Sequence, residues 1–161
     1  MENVFSIVAW LIRCGISNRR PLSNLSLQKL LYFAQGLHLA QFEGQRLFSD
    51  PIYAWKLGPV VLSVYRRFKP FGPTPITSDN INSVLGENFL AFANNISADN
   101  NAFLNELWEV FGNYESYELV DMTHAEGSPW FQIIQNNEGV ILEHIEIPIQ
   151  AMQQYFNDFV H

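Results

Sequence analysis

The sequence has very little cysteine: Cys14 is the single cysteine among 161 residues. This excludes an internal disulfide framework and any cysteine-rich zinc site. The longest apolar-rich stretch, residues 4–12, is too short to span a bilayer, which needs about 20 residues. No basic segment precedes it, as one would in a secretory signal peptide. We therefore expect a cytoplasmic protein with no membrane partner.

Lysine and arginine are missing from the whole second part of the chain. All nine lie between Arg13 and Lys69, whereas residues 70–161 hold thirteen of the sixteen acidic residues. The net charge is −7, and an acidic chain is poorly suited to direct nucleic-acid binding, because phosphate neutralisation dominates that affinity. The two parts either neutralise each other within one fold, or the acidic part attracts a basic protein.

The motifs of common enzymes are also missing. There is no glycine-rich phosphate loop and no nucleophile elbow, and the four histidines lack the spacing of metal ligands. The sequence Thr123-His124-x-Glu126 has no nucleophile in view and is a weak sign of acid–base chemistry. Cys14 has apolar neighbours, which favours a buried and inert thiol. We predict no enzymatic activity, no metal and no cofactor.

A helical period of apolar residues is the strongest positive signal. It is clearest over residues 26–42, which predicts a central helix, with His38 as a core or edge histidine. Residues 47–57 and 140–147 alternate and predict two short strands that could pair. Further helices are predicted over 4–14, from Gly58-Pro59 onward, over 99–112 and 115–124, and from Pro129 and Pro148 onward.

These elements predict a mainly α, single compact multi-helix domain with a small two- or three-stranded β element. The domain would cover residues 1–161. Residues 70–82 are rich in proline and glycine and are interpreted as a linker or excursion, and residues 83–96 as a weak helix. We treat residues 70–100 as a variable excursion from the domain.

Two short stretches concentrate aromatic residues at turns. In residues 55–60 a strand, a tight turn and the start of a helix lie within six residues, with a tryptophan and a lysine beside the turn. Thr123-His124 followed by residues 128–130 is a second such stretch. Large residues near turns either pack or bind partners, so both interpretations stay open.

Three separated segments, residues 27–40 (LQKLLYFAQGLHLA), 47–68 and 119–130, resemble the Panacea domain family in order and spacing. That family includes SocA-like antitoxins and proteins associated with phages and mobile genetic elements. The resemblance implies a mainly helical domain that neutralises a cognate toxin, often one that blocks translation, by direct contact. One SocA-like member acts instead as an adaptor that delivers its toxin to a protease. The resemblance implies no catalytic residues and no cofactor.

The resemblance also selects candidate partner-binding residues, whose alternative role is to set turns or pack. They are Lys29, Tyr32, Trp55, Lys56, Gly58, Pro59, His124 and Trp130. The expected partner is a basic protein toxin, and an adaptor would also need a protease or its unfoldase. A phage or mobile-element protein with a different protein partner is the remaining alternative.

Two surfaces could meet a basic toxin. One is the acidic part, residues 70–161, and the other is the nearly all-apolar first helix with Trp10. If Trp10 belongs to the core, the second surface is excluded.

Overall fold

The computed structural model describes residues 1–160, and α-helices make up most of it. The helices are α1 (Val4–Ser17), α2 (Asn24–Gln41), α3 (Leu62–Phe68), α4 (Ser78–Leu85), α5 (Ala98–Phe111), α6 (Ser116–Thr123), α7 (Pro129–Asn136) and α8 (Ile149–Val160). Two strands, β1 (Ile52–Trp55) and β2 (Gly58–Val61), and two 3₁₀ segments, Lys69–Phe71 and Phe89–Asn95, complete it. The predicted mainly helical fold with a small β element is confirmed.

Helix α2 is the centre of the domain, as its period predicted. Its residues are buried on nearly all sides, and α1, α5, α6, α8 and the β-hairpin pack around it. The helix begins where the hydroxyl oxygen of Ser23 accepts a hydrogen bond from the amide of Ser26. That cap satisfies an amide that has no partner inside the helix.

The β element is an antiparallel hairpin with a two-residue turn, in which Ala54 faces Pro59 and Trp55 faces Gly58. The prediction that a helix starts at Gly58-Pro59 is therefore wrong, and α3 begins only at Leu62. All four residues of β2 are buried, and side chains from α2 hold its backbone. Partners distant in sequence outweigh the local preference of proline for a first helical turn.

The predicted strand over residues 140–147 is mostly irregular. The backbone of the segment touches that of β1 through a single bridge between Tyr53 and Glu146 and two hydrogen bonds, Ala54 N–H to Ile145 O (2.9 Å) and Ile147 N–H to Ile52 O (2.7 Å). The amide of Ile145 turns back to the carbonyl of Leu142, which prevents a continuous ladder. The predicted pairing with the first strand is thus reduced to one bridge.

Helix α1 is buried rather than exposed to a partner. Trp10 is 5% exposed, and its indole Nε1–H donates to Asn101 Oδ1 at 2.9 Å. The second 3₁₀ segment packs along α1 and buries Phe89 and Ala93. The hypothesis that α1 forms a toxin-binding face is therefore wrong, because the chain itself covers that face.

Residues 70–82 are part of this packed structure and not a free linker. Ile76 is fully buried, and its amide donates to Leu22 O at 2.8 Å. Thr77 then starts α4 with a reciprocal capping box to Asn80. Within residues 1–160, no helix is both long enough and apolar enough to cross a bilayer.

Candidate functional site

The two turn-rich stretches of the sequence meet at the β-hairpin. The indole Nε1–H of Trp130, at the start of α7, donates to the carbonyl oxygen of Trp55 at 2.6 Å. The ring of His124 stacks on Trp130 with centroids 3.7 Å apart and planes 5° from parallel. The aromatic pair thus forms a flat support behind the hairpin.

Lys29 also anchors the hairpin. The residue is fully buried, and its Nζ donates to Pro59 O at 2.7 Å. No acidic side chain within residues 1–160 forms an ion pair with it. Burial without a counter-ion lowers the pKa of Lys29 to about 7, because removal from water penalises the charged form.

Gly58 is required where these parts meet. Its φ of +107° lies in the region that favours glycine. A Cβ atom there would lie 2.6 Å from Thr123 Oγ1 and 3.2 Å from Lys29 Cε. The hairpin is therefore pressed directly against the end of α6 and the stem of Lys29.

Two buried glutamines of α2 complete the support. Gln28 Oε1 accepts the amide of Val61 at 2.9 Å. Gln35 Nε2 donates to Phe48 O at 2.7 Å, and Gln35 Oε1 accepts the amide of Leu47 at 2.8 Å. Because unpaired buried amides and carbonyls are costly, these side chains fix both the strand and the loop before it.

Ser128 and Thr123 join α6 to α7. The Ser128 hydroxyl donates to Thr123 O at 3.0 Å and accepts the amide of Phe131 at 3.1 Å, which caps α7. Sequence reasoning did not select Ser128 or the two glutamines as site residues. The glutamines had a signal, since a polar residue inside an apolar helix face is usually satisfied by a specific partner. Ser128 had another, since serine before Pro129 is typical of a helix N-cap.

The surroundings of His124 disfavour its charged form. Burial lowers its pKa and the nearby charge of Lys29 lowers it further, against opposing contributions from Asp121 and the carbonyl of Leu57. Its Nε2 is buried and has no hydrogen-bond partner within residues 1–160. The imidazole packs here as a flat ring against Trp130.

The tip of the hairpin is exposed although its base is buried. Lys56 and Leu57 form the turn, and the Leu57 side chain is 52% exposed. Trp55 is half-buried, donates from Nε1 to Glu143 O at 2.9 Å, and packs edge-on against Tyr65 with centroids 5.0 Å apart. An apolar and cationic tip is thus held on a rigid base.

The structure brings most of the predicted site residues together but divides them by exposure. Trp55 and Lys56 are accessible, whereas the residues that support them are largely buried: Lys29, Gly58, Pro59, His124 and Trp130. Tyr32 lies apart, 1% exposed in the core beside Phe33 and Phe156. Burial raises the pKa of Tyr32 far above its usual value.

Two other predictions concern His38 and Cys14. His38 is a satisfied core histidine, as expected, with Nδ1 2.8 Å from Gln45 O and Nε2 3.0 Å from Asn100 Oδ1. Cys14 is half-buried, and burial raises the pKa of its thiol. A raised pKa disfavours the reactive thiolate.

The charge of the two parts of the chain is not neutralised by pairing. Within residues 1–160, a single ion pair joins Arg20 to Glu115 at 3.2 Å, and both side chains are exposed. An exposed pair of this kind contributes little to stability. Most charges of either sign therefore face solvent or a partner.

Comparison with known proteins places this architecture in a family. The family model "Antitoxin SocA-like, Panacea domain" matches residues 27–131, which include most of α2, the hairpin, α6 and the start of α7. The chain is similar to Antitoxin SocA of Caulobacter vibrioides (strain NA1000 / CB15N), with 36% identity over 127 residues. That match covers 76% of this chain and 64% of the relative. No solved structure matches the chain. The chain belongs to the family of SocA-like antitoxins that carry the Panacea domain.

Proposed function

We propose that this protein is an antitoxin that neutralises a cognate toxin by direct binding, with the hairpin tip as the contact. Membership of the SocA-like family and similarity to Antitoxin SocA support an antitoxin role. The match spans 64% of that relative. The proposed partner and mode of action of this chain therefore rest on its own structure.

The exposed hairpin tip on its buried base carries the proposal. Leu57 and Trp55 offer apolar and aromatic area, and Lys56 adds a charge beside them. Aromatic residues in the centre of an interface contribute much of its binding energy. The hydrogen bonds from Lys29 and Trp130 hold the tip before binding, which reduces the entropy lost when the partner docks.

We propose that the protein acts by binding and not by catalysis. Among the titratable groups beside the hairpin, Lys29 has the pKa that departs most from its ordinary value, and this residue is fully buried behind Pro59. A catalytic acid or base must come within hydrogen-bond reach of its substrate. The position of Lys29 instead suits an anchor for the strand.

The charge distribution supports a basic toxin. Residues 70–160 contain no lysine or arginine, and α5 and α6 carry acidic side chains that face solvent. We propose that the toxin presents a basic surface toward these helices, which would accelerate its encounter with the antitoxin. The family resemblance favours a toxin that blocks translation, with the pair acting in the cytoplasm.

A growth assay tests the proposal. The open reading frame next to this gene in its native locus is induced alone, with the wild-type chain, and with Leu57→Asp. We expect the neighbour to stop growth, the wild type to restore it, and Leu57→Asp to reduce colony formation by about tenfold or more, since a buried interfacial charge is costly.

Val84→Asp is the matched control, because Val84 is also exposed (39%) but lies on α4. It should rescue growth like the wild type. A harmless neighbour, or equal rescue by Leu57→Asp, would contradict the proposal.

An adaptor that delivers the toxin to a protease is the second candidate. An adaptor needs two separate surfaces, and α6 with the turn before it exposes Tyr117 (68%) and Tyr114 (40%) among acidic residues. The toxin level in the same assay separates the two functions. Rescue with the toxin present indicates direct neutralisation, whereas rescue with loss of the toxin indicates an adaptor.

A further inference from the structure

An open groove of about 620 Å³ runs beside the hairpin. It lies between α2, the hairpin, α3 and the irregular segment 140–147. Its volume is typical of sites that accept a small ligand or a few side chains. Its walls are mainly apolar, formed by Leu25, Trp55, Leu57, Val60, Tyr65 and Ile141.

The charged groups around this groove are mostly positive. Lys56 and Lys69 line it, and Glu143 is the acidic residue among its lining. Arg66 lines an adjoining groove of about 510 Å³ that shares Trp55, Tyr65, Lys69 and Glu143. None of the three cations forms an ion pair within residues 1–160. The local charge is thus opposite to the net charge of the chain, −7.

Asn24 adds a hydrogen-bond donor to the lining of the groove. The residue is 6% exposed and lines the groove. Its Oδ1 accepts from Gln28 Nε2 at 3.0 Å, which fixes the orientation of the amide. Its Nδ2 donates no hydrogen bond within the part of the chain that the structure describes, and this atom is not among the buried ones. The nitrogen is therefore open to solvent and can donate to an acceptor from outside the chain.

We propose that this groove binds a segment of the toxin that carries an apolar side chain next to a carboxylate. The apolar side chain would lie between Trp55, Leu57 and Tyr65. The carboxylate would lie toward Lys56 and Lys69, and a backbone carbonyl would accept from Asn24. This inference rests on the proposed antitoxin function and specifies the partner's chemistry at the same surface.

Charge explains why a carboxylate is preferred at this groove. The aliphatic part of a lysine side chain packs along apolar surface while its ammonium group stays near water. Lys56 and Lys69 therefore place their charges at the edge of a groove whose walls are mainly apolar. A carboxylate bound there is partly removed from water, where its attraction to a cation is stronger than in bulk solvent.

The test measures toxin binding to purified chains after ribonuclease treatment of both partners. The double variant Lys56→Glu, Lys69→Glu should weaken binding by about tenfold or more, since it places like charges against the carboxylate. Arg46→Glu is the matched control, because Arg46 is exposed and absent from both grooves. It should change affinity by less than about twofold.

Short overlapping peptides of the toxin then locate the segment. The peptides that bind should contain aspartate or glutamate beside a leucine, isoleucine or aromatic residue. Replacement of the aspartate by asparagine, or of the glutamate by glutamine, should weaken the binding of these peptides to the wild-type chain. The same exchange should have little effect with the double variant. A thermal melt of each variant checks that the fold is intact.

The outcomes separate this inference from the function on which it rests. If the toxin binds the wild type, but the double variant binds as well as Arg46→Glu, the groove proposal is overturned and the antitoxin function stands. Binding that disappears after ribonuclease treatment would also overturn it, because the anion would then be RNA. If the toxin does not bind the wild-type chain at all, both proposals fall.

Discussion

The middle and the first turns of α2 are built in different ways. In the middle Tyr32, Phe33 and Gly36 pack against aromatic rings of α5 and α8. One turn earlier Gln28 and Lys29 hold the hairpin through single hydrogen bonds to its backbone. Packing makes the middle of the helix depend on shape, whereas the first turns depend on a few polar atoms. The comparison shows how one buried helix both supplies a core and positions a binding element.

The largest effect should follow from a change in the packed middle of α2. A Cβ atom at Gly36 would overlap the ring of Phe156, so Gly36→Ala must displace that ring or α8. We expect the free energy of unfolding to fall by about 3 kcal/mol, measured by chemical denaturation.

The double variant Gly36→Ala, Phe156→Leu tests the cause of that loss. If the clash is responsible, removal of the ring should make the glycine substitution less costly than it is in the wild type. A wild-type stability for Gly36→Ala would contradict the packing described for α2 and α8.

The next largest effect concerns pH and the polar contacts in the first turns of α2. The pKa of Lys29 is lowered to about 7 in the folded chain, so between pH 7 and 9 the unfolded chain binds more protons. Stability therefore rises with pH over this range, by about 2 kcal/mol from this residue.

Lys29→Met should remove this contribution and flatten the stability profile between pH 7 and 9. Denaturation of both proteins at several pH values measures it. Lys56→Met is the control, because Lys56 is exposed and should leave the profile of the wild type unchanged. Parallel profiles for the wild type and Lys29→Met would show that Lys29 stays charged in the fold.

A smaller effect is expected at the support behind the hairpin. Trp130→Phe keeps an aromatic ring against His124 but removes the donor to Trp55 O. The loss should be about 1–2 kcal/mol, with weaker toxin binding. Trp108→Phe is the control, since the indole of Trp108 makes no hydrogen bond within residues 1–160, and it should affect toxin binding less. Equal effects of the two substitutions would contradict a positioning role for Trp130.

The sequence was most informative where local pattern and tertiary role agree. The apolar period over residues 26–42 predicted α2 and its central place, because a helix apolar on most sides must be buried. The prediction was wrong at Gly58-Pro59, where the preference of proline for a first helical turn indicated a helix start. The side chains that hold β2, Gln28 and Lys29, lie about 30 residues earlier, so no local rule could include them.

The site was only partly predictable for the same reason. The two turn-rich stretches were visible in the sequence, but their meeting through Trp130 and Trp55 depends on contacts 75 residues apart. The exposure of each selected side chain was also not predictable from the sequence. Tyr32 and Lys29 were selected with Lys56 from one resemblance, yet the first two are buried and Lys56 is exposed.

Hydrogen exchange of the chain with and without its toxin tests the central claim most directly. The account predicts slower exchange on binding at residues 53–58 and 140–144, which form the hairpin tip and the adjoining wall of the groove, with smaller changes in α5 and α6. Slower exchange confined to α5 and α6, with the hairpin unchanged, would contradict it and place the toxin on the acidic helices.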